Sequence, residues 1–351
     1  MLPPRLLRRL VLAPLAIVIA LAVAVLSPLL AVLTLAFGLR RLRPGRMRGL
    51  RLLYFALVWL AAEASALFMS LGLWLASGLG GRLSTEPYQS RHYAIMRWYL
   101  AKVSGAAERT LGLRVEIDGP PCDAGAGDGP VIVLSRHAGP GDSFLLVHYL
   151  IGRYGRRPRV VMKATLQLDP GLDVVTNRLP NVFVQRRRAG QRLFVDQFRR
   201  LARGLGAGDA LVLFPEGGNW TPARWQRRIR RLEQAGRTDL ADRARGMPNV
   251  LGPRAGGALA AIAACPGADV IFVAHAGLDR LVSVGDVWRS LPMDQVVRAT
   301  WWRVPAAEVP GPGDREAQVT WLYDWWQRID AWISRTRPAE AAEPGEASRP
   351  R

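Results

Sequence analysis

Cysteine is nearly missing from this 351-residue chain: Cys122 and Cys265 stand far apart, with no close pairing. Two distant thiols suit a reducing compartment and exclude a thiolate metal cluster. Histidine is scarce as well, four in all. Three of them, His92, His148 and His275, are scattered without ligand spacing and read as structural residues, so no metal is expected. Acidic residues are outnumbered, 28 against 48 basic ones, and the surplus of +20 is nearly all arginine. A surplus of that size calls for an anionic partner, and nucleic acid or anionic lipid headgroups would both serve. No G-x-S-x-G elbow occurs, so a serine nucleophile at Ser135 or Ser143 would have to work without that strained turn. No internal repeat is visible. The Gly-rich stretch from Gly204 to Gly208 lies after a helical pattern and before a strand, the reverse of a dinucleotide-binding turn, and reads as a helix stop.

What the chain has in abundance is apolar sequence, concentrated at the N-terminus. No charge interrupts Leu10 to Leu39, and from Leu52 to Gly81 the one charge is Glu63. Each run would reach about 45 Å as a helix at 1.5 Å per residue, against a hydrocarbon core of about 30 Å. Tilt, or breaks at Pro14 and Pro28, are therefore expected. The first run is too long for a signal-peptide core, lacks a cleavage site and is followed at once by the second. Residues 1–90 thus read as a membrane anchor of two hydrophobic helices, which favours anionic membrane lipids over nucleic acid as the partner of the positive charge. The aromatic pattern agrees, because the tryptophans cluster at Trp301-Trp302 and near the C-terminus instead of interleaving with arginines. Between the runs lie Arg40, Arg41, Arg43, Arg46, Arg48 and Arg51, a cluster expected on the cytoplasmic side. The chain after Gly81 is basic too. A hairpin dipping into one leaflet keeps both on the cytoplasmic face of the cell membrane, whereas two full spans separate them. Glu63 is costly at mid-bilayer; it fits the dipping hairpin, or else faces a partner helix in a two-span anchor.

Residues 91–335 read as one α/β domain. Arg82–Arg91 is a polar connector, and His92–Ala107 an amphipathic helix with Ile95, Trp98, Tyr99 and Val103 on one side. Strands are expected at Leu113–Ile117, Val131–Leu134, Arg159–Met162, Val182–Gln185, Ala210–Phe214, Val270–Ala274 and Ala299–Val304, with a Gly-rich loop at Pro121–Gly129. Helical patterns at Phe144–Gly152, Gln191–Leu205, Ala223–Ala235 and Gly256–Ala264 alternate with them. Such alternation predicts a mostly parallel sheet flanked by helices. A last helix, Asp314–Ser334, carries Val319, Leu322, Trp325, Trp326, Ile329 and Ile333 as a packing stripe. Residues 336–351 are rich in Pro, Glu, Ala and Arg and read as a disordered tail.

The chemistry gathers at two strand ends. Ser135-Arg136-His137-Ala138-Gly139-Pro140-Gly141-Asp142-Ser143 follows a buried strand, the place where open α/β sheets put their sites. A neutral imidazole can take a proton from an alcohol, and a carboxylate on its other nitrogen fixes the tautomer. A loop histidine beside a helix-capping aspartate would look the same. The second segment, Phe214-Pro215-Glu216-Gly217-Gly218-Asn219-Trp220-Thr221, also follows an apolar strand.

Taken together, His137-x4-Asp142 and Phe214-Pro215-Glu216-Gly217 resemble the glycerolipid acyltransferase family, which includes the lysophosphatidic acid acyltransferases, over roughly Ala101 to Ala276. Lys163 before Pro170-Gly171 is similar to the family's lysine segment. Asn181 to Arg186 is similar to the block whose arginine contacts the acceptor's phosphate, a role that bidentate guanidinium chemistry suits. The resemblance implies His137 and Asp142 as the catalytic pair, and Lys163, Arg186, Glu216 and Gly217 as substrate-binding residues. Glu216 would bind the acceptor or brace its loop, and backbone N–H groups near Gly217 or at the start of the helix after Asp142 would hold an oxyanion. It implies a membrane-bound O-acyltransferase of phospholipid biosynthesis or remodelling, passing a fatty acyl group to the free hydroxyl of a lysophospholipid, foremost 1-acyl-glycerol-3-phosphate. Acyl-CoA or acyl carrier protein would be the co-substrate, with no further cofactor. Two departures stand out. Arg136 replaces the family's Asn before the histidine, and Gly218-Asn219 replaces its Thr-Arg, so one clamp arginine is displaced and Arg136, Arg224 or Arg254 must take its place if anything does. The competing readings are a membrane-anchored thioester or ester hydrolase and a non-catalytic anionic-lipid-binding protein.

Overall fold

The computed structural model describes residues 2–40, 47–119, 129–139, 141–184, 191–278, 291 and 296–337, the backbone alone for 37–40 and 191–194. Arg41, Arg43 and Arg46 of the basic cluster, most of the expected Gly-rich loop, Gln185 with Arg186 to Arg188, and all but the first two residues of the expected tail lie outside the described residues.

Among the described residues seven strands form one sheet: β1 (Arg114–Asp118), β2 (Val131–Ser135), β3 (Arg157–Lys163), β4 (Val182–Val184), β5 (Asp209–Leu213), β6 (Asp269–Ala276) and β7 (Val296–Val304). Their spatial order is β1-β7-β6-β2-β5-β3-β4. All neighbours are parallel except β6 and β7, so the sheet is mixed but mostly parallel. Every residue of β2 and β5 is buried, as expected of central strands covered on both faces, and their unbroken apolar runs reflect it.

Strand alternation sends neighbouring residues to opposite faces. Ile132, Leu134, Leu211, Leu213, Val270 and Phe272 point to one face, packed by α6 (Gln191–Arg203), α7 (Pro222–Gln234), α8 (Thr238–Arg245), α9 (Ala255–Ala264) and α10 (Arg315–Thr336). On α10 the stripe Val319, Leu322, Trp326, Ile329 and Ile333 is buried there, and Trp325 stacks on Phe272 with centroids 4.5 Å apart. Val131, Val133, Ala210, Val212, Ile271 and Val273 point to the other face, against Leu146 and Leu150 of α4 (Asp142–Gly152).

Beyond α4 lies a second apolar layer. Tyr93, Ile95, Met96, Tyr99 and Leu100 of α3 (Glu86–Ala106) pack with Ala62 and Ala66 of α2 (Arg48–Ala76) and with Val175 of α5 (Pro170–Thr176). The helix α3 begins before the expected His92 because its first turn is polar and half-exposed, hidden from a hydrophobic pattern; Pro87 sits in that turn, where no intrahelical N–H is needed. The short helix α5 escaped the pattern too. Asp169 caps it, accepting from Leu172 N at 2.9 Å, with Pro170 next in sequence.

At the N-terminus, Arg5–Leu7 and a π-turn at Arg8–Leu12 lead into α1 (Ala13–Arg40), which continues through Pro28. Neither proline breaks the helix: Pro14 lies just after the π-turn Arg8–Leu12, within the continuous run from Arg5 to Ala36, and Pro28 is accommodated further along it. Among the described residues two helices, Arg5–Ala36 and Arg48–Ala76, are long and apolar enough to cross a membrane. They pack on each other, yet α2 also lies along the domain. Arg48 Nε donates to Leu291 O at 2.8 Å, Arg51 to Thr110 O at 2.9 Å, and Arg178 to Ser70 O at 2.6 Å. Between these points Glu63 is buried and accepts from Gly171 N in the first turn of α5. Glu63 thus joins the hairpin to the domain, its partner being the first turn of a domain helix and not the other helix of the hairpin. The N-terminal end is fastened as well, by Arg8 on Asp173 at 2.8 Å, both side chains buried.

Candidate active site

The site is assembled where β2 and β5 end. Backbone pairing carries β2 one residue past the strand, with Arg136 N donating to Val273 O at 3.2 Å. Its guanidinium, fully buried, donates to His275 O at 2.6 Å and Asn249 O at 3.0 Å. His275 answers from β6, its Nε2 lying 3.3 Å from Arg136 O. Arg136 thus stitches strand ends together and is not placed to grip a ligand.

His137 comes next, and its main chain is held at both ends. Its N–H donates to Glu216 Oε1 at 3.3 Å, and its carbonyl accepts from Trp220 N at 2.9 Å. The imidazole rests on Phe214, centroids 4.7 Å apart, and turns Nδ1 towards Asp142 at 2.9 and 3.1 Å. Asp142 is buried at the start of α4. It accepts from Ala138 N at 2.7 Å, Gly139 N at 3.1 Å and Ser143 Oγ at 3.1 Å. Burial pushes its pKa up, but the His137 hydrogen bond and the charges of His275 and His137 outweigh burial and leave it below the usual value. A carboxylate facing Nδ1 requires the proton on that nitrogen, so in the neutral ring Nε2 carries the lone pair.

Glu216 lies beneath this loop, fully buried. Its two oxygens accept from His137 N and Leu251 N, each at 3.3 Å. Burial pushes its pKa up to about 8, against the pull of the Arg136 guanidinium. The neighbouring Pro215 and Gly217 line the cavity whereas Glu216 bonds the main chain of His137 and Leu251, so of its two expected roles the position is that of a brace. Gly217 has φ +68, a backbone that favours glycine, and a Cβ there would stand 3.3 Å from Arg254 Nε. Its N–H is taken by Phe214 O at 3.0 Å, which removes it as an oxyanion donor. The first turn of α4 keeps that capacity, since helix geometry leaves its first N–H groups without intrahelical partners, and Ser143 and Phe144 line the cavity.

That cavity, about 1050 Å³, joins the two faces of the sheet at their strand ends. On the hairpin side Ala66, Met96, Tyr99, Leu100, Phe144 and Val175 form an apolar wall, and on the other Arg228, Arg231 and Arg254 form a basic one. Lys163, at the end of β3, also lines it. Arg186 follows β4 but lies outside the described residues. Of the three candidates for the displaced arginine, Arg254 reaches the cavity, Arg136 is buried elsewhere, and Arg224 is exposed and donates to Asn219 O at 3.0 Å. Sequence reasoning missed His275, whose Nε2 lies 3.6 Å from Asp142 Oδ2. The signal was its place at the end of an apolar strand, and only the β6-β2 pairing turns that into proximity.

Residues 115–277, from β1 to just past β6, match the family model described as Acyltransferase. Among solved structures the chain is similar to a 1-acyl-sn-glycerophosphate (LPA) acyltransferase from Thermotoga maritima. That likeness has 15% sequence identity and a TM-score of 0.47, and covers 79% of this chain and 99% of the other. No curated protein matches the chain by sequence.

Proposed function

We propose that this chain, whose residues 115–277 match the Acyltransferase family model, is a glycerolipid acyltransferase that moves a fatty acyl group from a thioester donor to the free hydroxyl of a lysophospholipid, foremost 1-acyl-glycerol-3-phosphate. One observation carries the reading: an Asp-oriented imidazole, with Nε2 free of the carboxylate, lies in a cavity with one apolar and one basic wall. Nε2 takes the proton of the acceptor hydroxyl as its oxygen attacks the thioester carbonyl carbon. The first-turn N–H groups of α4 receive the developing oxyanion. Collapse breaks the C–S bond, and the imidazolium returns its proton to the departing thiolate. The apolar wall suits an acyl chain and the basic wall phosphate.

The same proposal places the hairpin in one leaflet, with the domain on the cytoplasmic face. Its support is the run of contacts from Arg48 to Ser70, about 33 Å at 1.5 Å per residue, which ties α2 lengthwise to the domain instead of releasing it across a bilayer. The exposed apolar side chains of α1, among them Val18, Leu21, Val25 and Val32, then meet lipid.

The test is transfer of labelled acyl groups by membranes containing wild type or His137→Ala, offered acyl-CoA or acyl carrier protein and a panel of lysophospholipids. Transfer that His137→Ala abolishes is expected. Hydrolysis of the donor with no acylated product would overturn it.

A further inference from the structure

The basic wall of the cavity is built from separate pieces of chain on the sheet face away from the hairpin. Arg228 and Arg231 project from α7, and Arg254 precedes α9. A fourth arginine there, Arg237, is neutralised by Asp239 at 3.2 Å and Glu316 at 3.0 Å. Arg228 and Arg231 have no carboxylate within ion-pair distance among the described residues; the half-buried Arg228 is held through Glu216 O at 2.7 Å. Its pKa is lowered to about 10, by burial first and by the Arg254 charge next. Like charges gathered in a partly buried wall are unfavourable unless an anion completes them. Gly217 contributes by its missing side chain, since a Cβ there would press on the Arg254 guanidinium.

We infer that Arg228, Arg231 and Arg254 form a phosphate-binding subsite, and that its occupant is the nucleotide end of a soluble coenzyme A thioester, not the headgroup of the acceptor lipid. The inference rests on the acyl-transfer reading above. Its ground is placement. A membrane-borne acceptor enters from the side of the hairpin and the apolar wall of Ala66, Met96, Tyr99 and Leu100. The three arginines lie across the sheet, and Arg231 is exposed to solvent, so a water-soluble donor reaches them directly. A diphosphate with a further phosphate on its ribose presents several anionic groups to several guanidiniums, and each such pair is a strong charge-assisted contact.

The experiment uses the full chain in lipid nanodiscs and two measurements: calorimetric binding of adenosine 3′,5′-bisphosphate, and KM for acyl-CoA and for the lysophospholipid separately. Arg231→Ala and Arg254→Ala are expected to weaken bisphosphate binding and raise the acyl-CoA KM, each on the order of tenfold, with the acceptor KM unchanged. Arg231 is exposed, so its variant keeps the test alive should Arg254→Ala misfold. Absence of bisphosphate binding by wild type, undiminished binding by both variants, or a rise confined to the acceptor KM overturns the inference, the last assigning the wall to the lipid phosphate. Transfer from acyl carrier protein without bisphosphate binding sinks the subsite and spares the acyl-transfer reading. Bisphosphate binding without transfer to any acceptor does the reverse.

Discussion

The two faces of the sheet share a backbone and differ in what they are built to meet. One carries α6 to α10, surrounds Trp326 and Tyr323, and ends in arginines at the cavity. The other is covered by α4, then α3, then an apolar hairpin whose outer helix α1 leaves large hydrophobic side chains exposed. The difference teaches that the strand ends where β2 and β5 stop are where the two faces meet, and on the proposed reading the pair His137 and Asp142 is reached there from two solvents.

The largest effect is expected at the centre itself. Asp142→Asn leaves the fold of both faces intact but turns an amide towards Nδ1, so the imidazole loses its tautomer. Activity should fall by roughly 10³-fold or more in a labelled acyl-transfer assay, with an unchanged circular dichroism spectrum. A drop of only a few-fold would mean that the two faces do not converge on this pair.

Next in size is the brace beneath the centre. Glu216→Ala leaves two buried N–H groups unpaired, each worth about 1–3 kcal/mol, and the melting temperature should drop accordingly. The pH dependence is distinctive. Glu216 is raised from its ordinary 4.5 to about 8, so its contribution is complete below pH 4.5 and is lost as pH rises through 8. Wild type should therefore lose stability between pH 5 and 9, and Glu216→Gln should flatten that slope. An identical slope in both proteins refutes the buried-acid account.

A smaller loss belongs to the hairpin side. Asp173→Ala takes the paired carboxylate from the buried Arg8, at a cost of about 3 kcal/mol local to the hairpin, and hydrogen exchange should quicken in Arg8 to Leu12 and in α5 while β2 and β5 stay protected. Uniform acceleration would show the hairpin to be part of the same cooperative unit as the core. The smallest effect on folding is expected at Val25, which is 77% exposed. Val25→Lys should weaken sedimentation with anionic vesicles while shifting stability by no more than about 0.5 kcal/mol.

The sequence made the strand ends legible because buried parallel strands are written as short apolar runs, and the residues after them are polar and particular: His137, Asp142, Glu216 and Gly217. The hairpin was legible from charge-free length. What stayed hidden depends on which strands become neighbours. The nearness of His275 to Asp142 needs β6 beside β2, and the antiparallel turn of β7 onto β6 has no local signature. Glu63 looked like a membrane problem because its partner, Gly171 N, is more than a hundred positions away. Arg254 was one of three equal candidates until the loop it bonds, through Arg254 N to Pro215 O at 2.9 Å, placed it at the cavity.

The crossed bonds between positions 136 and 275 carry a consequence for substitution. Each side chain reaches the other's main-chain carbonyl, so neither residue can drift alone without leaving a buried group unanswered. Arg136→Asn alone strands the carbonyl that its guanidinium answers, and His275→Ala alone strands the other. A departure that looks like a private oddity at one position is half of a couple.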